Sequence, residues 1–551
     1  MRIYNDFSSI KEWVFVVLLL LASLPVILPY FHSGYFPTHD GEWAVVRLAD
    51  MIRSLREGQF PVRWSGFLNH GYGYPLFNFS YPFPYYLGAA INFIFRIGLV
   101  DTIKIIFFLT VPVSTVGMYF LAKSLWRNTG AGVISALFYI YLPYRIVDLY
   151  VRGSIGESLS LALFPWLGYL ALKVVWEKDW LWPLLLGVSY AALILTHNIM
   201  TVLFTPFLLV LIVSQLVFSR KITLAPIFYR LLISIFLALG LAAFFWYPAL
   251  TEKNFIALSQ TPIANRSAYF SQPLDLVIPR WGYGMADTAG GFGYQIGWPH
   301  LVILGLVAIV SLGRKNKDRP IALVVVLSLV AACFLLFRPS EVIWQNTPFL
   351  KEINYPWTLL APIGFLVSLL GGYLASGRYI RLLALALSLA AITFVLPHSQ
   401  PASFVNRNDS LYITNDATTT SSDELMPLWV KRYPSNLAER KVEILSGQGQ
   451  IEQVVSNSYR IEFTGTFPQV SRLKLNSIYF PGWKVLADGK ELNISYTNDQ
   501  GVIEFELPAG RHRIQAVLED TPVRRLANTS SLVSVIFLGI LSVHYVKKKY
   551  F

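Results

Sequence analysis

A chain of 551 residues with 54% hydrophobic and only 14% charged residues falls outside the ordinary soluble globular class. Its formal charge of +13 does not point to nucleic acid, because the basic residues stand in short clusters between apolar runs. That distribution orients membrane helices. The single cysteine, Cys333, excludes an intrachain disulfide.

The first apolar run, 13–31, contains Pro25 and Pro29 and exits through HSGYF, which lacks a small-x-small cleavage pattern. It reads as a retained span rather than a signal peptide. Further runs of bilayer-crossing length lie near 102–122, 129–149, 158–176, 180–196, 199–218, 227–248, 298–313, 319–337, 357–376, 380–397 and 529–546. Basic clusters occur at Lys123/Arg127, Arg220/Lys221, Arg314 to Lys317, Arg378/Arg381 and Lys547 to Lys549. With about twelve spans, all of them fall on the cytoplasmic side, and both termini are cytoplasmic. The expected location is the cell membrane, crossed many times. The stretch Ser80 to Leu99 is rich in proline and aromatics and suits a helix lying at the interface, outside the count.

The same topology gathers several polar stretches on the outer face: loop 32–100, the VRGSIGE turn (Val151–Glu157), the THN end (Thr196–Asn198), loops 249–297 and 338–356, and segment 398–528. The last carries alternating runs (YRIEFTGTF, RLKLNSIYF, GVIEFEL, HRIQAVL) separated by turns such as ADGKE and PAGRH. These predict antiparallel strands and a small extracytoplasmic β-sandwich. The expected organisation is a transmembrane core over 1–397 with its first external loop at 32–101, a β-domain over 398–528, and a final span with a basic tail over 529–551.

Within the first loop, GEWAVVRLADMIRSLREG places Val45, Leu48, Ile52 and Leu55 on one helical face, with Arg47, Asp50, Ser54 and Glu57 opposite. Asp40 stands at the start of this helix, where aspartate is favoured as an N-cap. The same carboxylate, fixed beside the bilayer, is oriented for general-base work. Each other polar site has a structural alternative too. Arg152 and Glu157 suit a snorkelling loop between spans. His197 and Asn198 suit a helix end. Arg280 and Trp281 in PRWGYG, and Asn354 in NYPW, sit in aromatic loops of the kind that anchor at an interface.

Taken together, these sites put carboxylates, cations, a histidine and aromatic rings on one face at membrane level. That inventory suits a phosphate-linked lipid donor and a sugar, because cations hold phosphate and a carboxylate activates a hydroxyl. The chain resembles the GT-C class of polytopic membrane glycosyltransferases, whose hallmark is acidic residues in the first external loop, the position Asp40 occupies. It is most similar to YfhO-like bacterial membrane proteins, through YFPGWKVLADGKE (Tyr479–Glu491) and ELPAGRHRI (Glu506–Ile514) in the β-domain. VRGSIGE, THN and NYPW also resemble a group of membrane proteins named for a 6-pyruvoyl-tetrahydropterin-synthase-related region. No His-x-His pair is present, so the zinc site of the soluble synthase has no ligands here. The first loop has no Asp-x-Asp and the chain no Trp-Trp-Asp, which sets it apart from the metal-dependent oligosaccharyltransferase branch.

What the resemblance implies is an inverting transfer of sugar from a polyprenyl-phosphate carrier to an external glycan, lipid or protein acceptor. Asp40 would be the base and Glu157 a second acid or an acceptor-positioning group. Arg145, Arg152 and Arg280 are candidates for the donor phosphate, with His39, Glu42, His197, Asn198, Trp281 and Asn354 as further binding groups. No cofactor is required by these residues, and a divalent metal is not excluded. The alternatives are a transporter or flippase, and a non-catalytic glycan-binding scaffold of envelope polysaccharide assembly. A transporter predicts ionisable residues at mid-span.

Overall fold

In a lipid environment an isolated segment satisfies its backbone only through intrahelical bonds, and the apolar runs before residue 398 fold accordingly. The computed structural model describes residues 10–218, 223–260, 264–286, 288, 290–313 and 316–550. The basic residues Arg220, Lys221, Arg314 and Lys315 lie outside them. Among the described residues, eight helices are long and apolar enough to cross a membrane, from Glu12–Phe31 to Pro522–Lys549. A ninth is the pair Thr129–Ile140 and Pro143–Arg152, bent by 41° where Pro143 restarts the helix. Three further expected spans are shorter apolar helices, Leu181–Thr196, Trp298–Gly313 and Arg319–Leu335. The run near 227–248 divides into Leu224–Leu241 and Ala243–Thr251, and Phe83–Phe95 is a separate 13-residue helix. Pro356–Ser376 is 100% buried and Ile155–Trp176 89% buried, which makes them the centre of the bundle; Pro522–Lys549, at 11%, lies on its outside.

Eight strands form the C-terminal domain: β1 (Val442–Ser446), β2 (Gln450–Ser456), β3 (Arg460–Phe467), β4 (Ser471–Ile478), β5 (Trp483–Ala487), β6 (Lys490–Leu492), β7 (Val502–Leu507) and β8 (Gly510–Leu518). They pair antiparallel in two sheets, ordered β1-β4-β7 and β2-β3-β8-β5-β6. The period-2 patterns predicted β3, β4, β7 and β8, and β3 and β8 pair without a register shift from Arg460↔Val517 to Phe467↔Gly510. Inward residues such as Ile461, Phe463, Ile514 and Ala516 are buried, as alternation requires. Trp483 is 4% exposed and meets Trp64 of the first loop edge-on, centroids 5.9 Å apart. It is therefore part of the contact between the β-domain and the first loop.

Strands begin at residue 442. The preceding stretch, 398–441, contains one short helix, Asp409–Ile413, and runs as a strap across the first loop. Val405 bridges Tyr35, Arg407 pairs with Glu42 at 2.5 Å, and Asp409 accepts the amide of Leu99 at 2.7 Å. Farther along, Asp416 faces His70 at 3.4 Å and the Leu428 amide donates to Phe255. A second tie joins the last helix to the bundle: Arg524 donates through Nε and Nη2 to Glu252 at 3.0 and 2.9 Å, and Asn78 donates to the same carboxylate at 2.8 Å. Removing one partner of such a buried pair leaves an uncompensated charge.

Candidate functional site

The loop Thr38–Gly41 is built against the VRGSIGE turn. Val151 and Arg152 accept the backbone amides of His39 and Asp40 at 3.0 and 2.8 Å. Residues Asp148–Arg152 form a π-helical turn, a feature frequent at functional sites, closed by Gly153 at φ +62°. A β-carbon at Gly153 would collide with Thr38 Oγ1 and the Gly41 amide, so glycine is what allows the two loops to touch. Gly156 does the same on the other side, where a β-carbon would press on Tyr81 and His197.

Asp40 occupies the N-cap position of the helix Gly41–Arg56, and its carbonyl accepts the Ala44 amide at 3.1 Å. Its side chain makes no cap bond. Thr38 supplies one instead, accepting the Gly41 amide on Oγ1 at 2.9 Å. The Asp40 side chain thus remains exposed and lines a cavity of about 110 Å³ with Trp43, Ala44, Arg47, Tyr81, Tyr85, Gly153 and Ile155. Expected cap and expected base are thereby separated onto two residues.

Behind this rim lies a buried charge cluster. Glu157 is 2% exposed, accepts the Tyr144 hydroxyl at 2.6 Å and pairs with Arg152 Nη1 at 2.6 Å. The same Nη1 reaches Asp148 at 3.4 Å, and Ser158 donates to Asp148 at 2.5 Å. His197 places Nε2 4.0 Å from Glu157. Its Nδ1 accepts the Met200 amide at 3.3 Å, which assigns the ring proton to Nε2, on the Glu157 side. Tyr81 stacks on the His197 ring at 4.9 Å, and the Arg152 guanidinium lies 4.6 Å above the Trp357 ring. Trp357 in turn meets Phe292 and Tyr294 at 5.4 and 6.0 Å.

Asp40, His39, Arg152, Glu157 and His197 therefore converge. His39 Nε2 contacts the Tyr283 carbonyl at 3.0 Å, so the 280–293 loop reaches the rim. Arg280 pins that loop, donating through Nη2 to the Ala286 and Phe292 carbonyls at 2.7 and 3.4 Å. Asn354 is buried just before Trp357. The other candidates stand apart. Glu42 is tied to Arg407 and to the Tyr412 hydroxyl, as a strap anchor. Trp281 stacks on His398 at 4.2 Å. Asn198 is exposed at the start of its helix. Arg145 is 1% exposed, over the Tyr139 ring and bonded to Ser114 at 2.9 Å, inside the bent helix pair rather than on the rim. Four side chains that wall the cavity are not among the candidates from sequence: Trp43, Arg47, Tyr81 and Tyr85. The available signal was spacing, since Arg47 follows Asp40 by seven residues, two helical turns.

Among solved structures, the chain is similar to the Archaeoglobus fulgidus oligosaccharyltransferase tethered with an acceptor peptide (13% identity, TM-score 0.43, covering 78% of this chain and 62% of that one). It is also similar to the arabinofuranosyltransferase AftD from Mycobacteria (14% identity, TM-score 0.45, 73% of this chain and 28% of that one). A curated relative, an uncharacterised protein of Lactococcus lactis subsp. cremoris, is 22% identical over 244 residues, which is 43% of this chain and 39% of that protein. The chain thus spans less than two thirds of the length of each of these three. Residues 77–401, which include the VRGSIGE turn, the THN end and the NYPW loop, match the family described as 6-pyruvoyl-tetrahydropterin synthase related domain, membrane protein, and the chain belongs to that family.

Proposed function

We propose that this protein is a membrane glycosyltransferase that moves a sugar from a polyprenyl-phosphate carrier to an acceptor hydroxyl on the outer face of the membrane. The observation that carries this reading is the Asp40 side chain. It is exposed, free of the helix-capping duty its position predicts, and set in a cavity walled by Trp43, Tyr81 and Tyr85. In the proposed reaction the acceptor oxygen gives its proton to Asp40 and bonds to the anomeric carbon. The bond from that carbon to the phosphate oxygen breaks, and polyprenyl phosphate leaves with the electron pair. Attack opposite the leaving group inverts the anomeric centre.

Glu157 then acts at one remove. Bound to Arg152 and Tyr144, it fixes the turn whose Arg152 carbonyl holds the Asp40 amide. The topology that goes with this reading has about twelve spans, cytoplasmic termini, and the strap and β-domain outside. A cysteine introduced at Asn408 should then label with an impermeant reagent in intact cells; labelling only after lysis would overturn the orientation.

The direct test is Asp40→Asn, assayed as sugar transfer from a polyprenyl-phosphate donor in membranes. Loss of roughly 10²–10⁴-fold in rate at unchanged protein level is expected when a general base is replaced by an amide. Near-normal activity would remove Asp40 from the chemistry.

A further inference from the structure

The Asp40 cavity has one cation in its lining, Arg47, whereas Arg145, Arg152 and Arg280 are not part of that lining. Arg47 Nε donates to Thr419 Oγ1 at 2.9 Å, Nη2 to the Thr419 carbonyl, and Nη1 to the Tyr85 hydroxyl at 3.5 Å. All three partners are neutral. Arg152 has two carboxylates on the same nitrogen, and Arg145 sits inside the bent helix pair. Arg280 is spent on its own loop. Arg47 thus has its direction fixed by hydrogen bonds while its charge is left unmatched, half-buried beside an exposed aspartate. A partly desolvated guanidinium held by neutral acceptors gains charge-assisted hydrogen bonds when an anion enters beside it.

We infer that Arg47 binds the phosphate of the lipid-linked donor, two helical turns along the same face from Asp40, and that Thr419 of the strap positions it there. The inference rests on the donor reading above. The long contact to Tyr85 leaves Nη1 the easiest nitrogen to release toward a phosphate oxygen, and a planar guanidinium can present two parallel donors to such a group. It also gives the 398–441 strap a part in the site, since both Thr419 contacts come from it.

The test measures binding of farnesyl phosphate, farnesol and inorganic phosphate to the full-length chain in nanodiscs, by calorimetry. Wild type should bind farnesyl phosphate well above farnesol. Arg47→Gln should weaken farnesyl phosphate by roughly 10–100-fold, the loss expected for charge-assisted hydrogen bonds, with farnesol unchanged. Arg47→Lys, which keeps the charge but not the fork, should fall between and serves as the readout if Arg47→Gln does not fold. Thr419→Val should weaken farnesyl phosphate several-fold by freeing the side chain. Equal farnesyl phosphate affinity in wild type and both Arg47 variants would overturn the assignment and leave Asp40 untouched. A wild type that prefers farnesyl phosphate no more than farnesol would overturn the donor reading and this assignment together. Tight inorganic phosphate binding, lost in Arg47→Gln with no gain from the farnesyl chain, would replace the lipid donor with a free-phosphate site.

Discussion

Asp40 and Glu157 are both acidic residues of the same small region, yet their surroundings are opposite. Asp40 faces a cavity, and its side chain has no role in the helix it precedes. Glu157 is enclosed, with an arginine and a tyrosine hydroxyl at 2.6 Å each and a histidine at 4.0 Å. A carboxylate that must take a proton from an incoming hydroxyl has to keep its oxygens available. One that must hold a backbone in place has to give them up. Under the proposed function, this difference gives the chemistry to the first and the architecture to the second.

Replacing each carboxylate by alanine tests that division most severely. Asp40→Ala should lose roughly 10²–10⁴-fold in transfer rate with an unchanged unfolding temperature, because Thr38 holds the helix start. Glu157→Ala should instead lose stability, by about 1–3 kcal/mol, since the buried Tyr144 hydroxyl loses its acceptor and Arg152 keeps only the longer contact to Asp148. Thermal unfolding in detergent alongside the transfer assay reads both. A Glu157→Ala protein of normal stability and no activity would reverse the assignment.

The division was only half legible in the sequence. Local patterns identified four of the eight strands, the first-loop helix and the VRGSIGE turn, because periodicity and turn composition act over a few residues. The Asp148–Arg152 pair was also written locally, at a spacing of four in DLYVR, and it is what removes Arg152 from the list of free cations. Glu42 was unreadable for the opposite reason, since its partner Arg407 lies 365 residues away. The strap was hidden too: an irregular chain has no period, and its position is set by scattered bonds to Tyr35, Glu42, Leu99 and Arg47. Arg47 looked like a solvated residue of the polar helix face until the strap and Tyr85 closed around it.

A third carboxylate, Asp50, extends the contrast along the first-loop helix. It is 2% exposed, and neither carboxylate oxygen has a hydrogen-bond partner among the described residues. Burial pushes its carboxyl up to about 7, with nearby Ser65 and Arg53 offsetting only part of that. A raised acid holds its proton in the folded chain where the unfolded chain has released it. Stability should therefore fall as pH rises from about 4, the unfolded value, to about 7. Asp50→Asn should flatten that slope and raise the unfolding temperature above pH 7. An unaltered pH profile in the variant would mean that the carboxylate has a partner when ionised.

The smallest effect bears most directly on the opening residues of the helix. If Thr38 is the cap, Thr38→Ala should destabilise by about 0.5–2 kcal/mol, the usual loss for a removed N-cap hydroxyl. Asp40→Ala should then cost nothing measurable by the same assay, because its side chain makes no bond to the helix amides. Thr38→Ser keeps the oxygen that accepts the Gly41 amide and should restore most of the loss. Thr38 also packs against Gly153, so the serine variant separates the hydrogen bond from the lost methyl. A double variant, Thr38→Ala with Asp40→Ala, should be no less stable than Thr38→Ala alone. If the second substitution adds a further loss of the same size, Asp40 moves into the cap once Thr38 is gone. The carboxylate would then be a reserve helix cap, and the exposed oxygens that distinguish it from Glu157 would have a structural use after all.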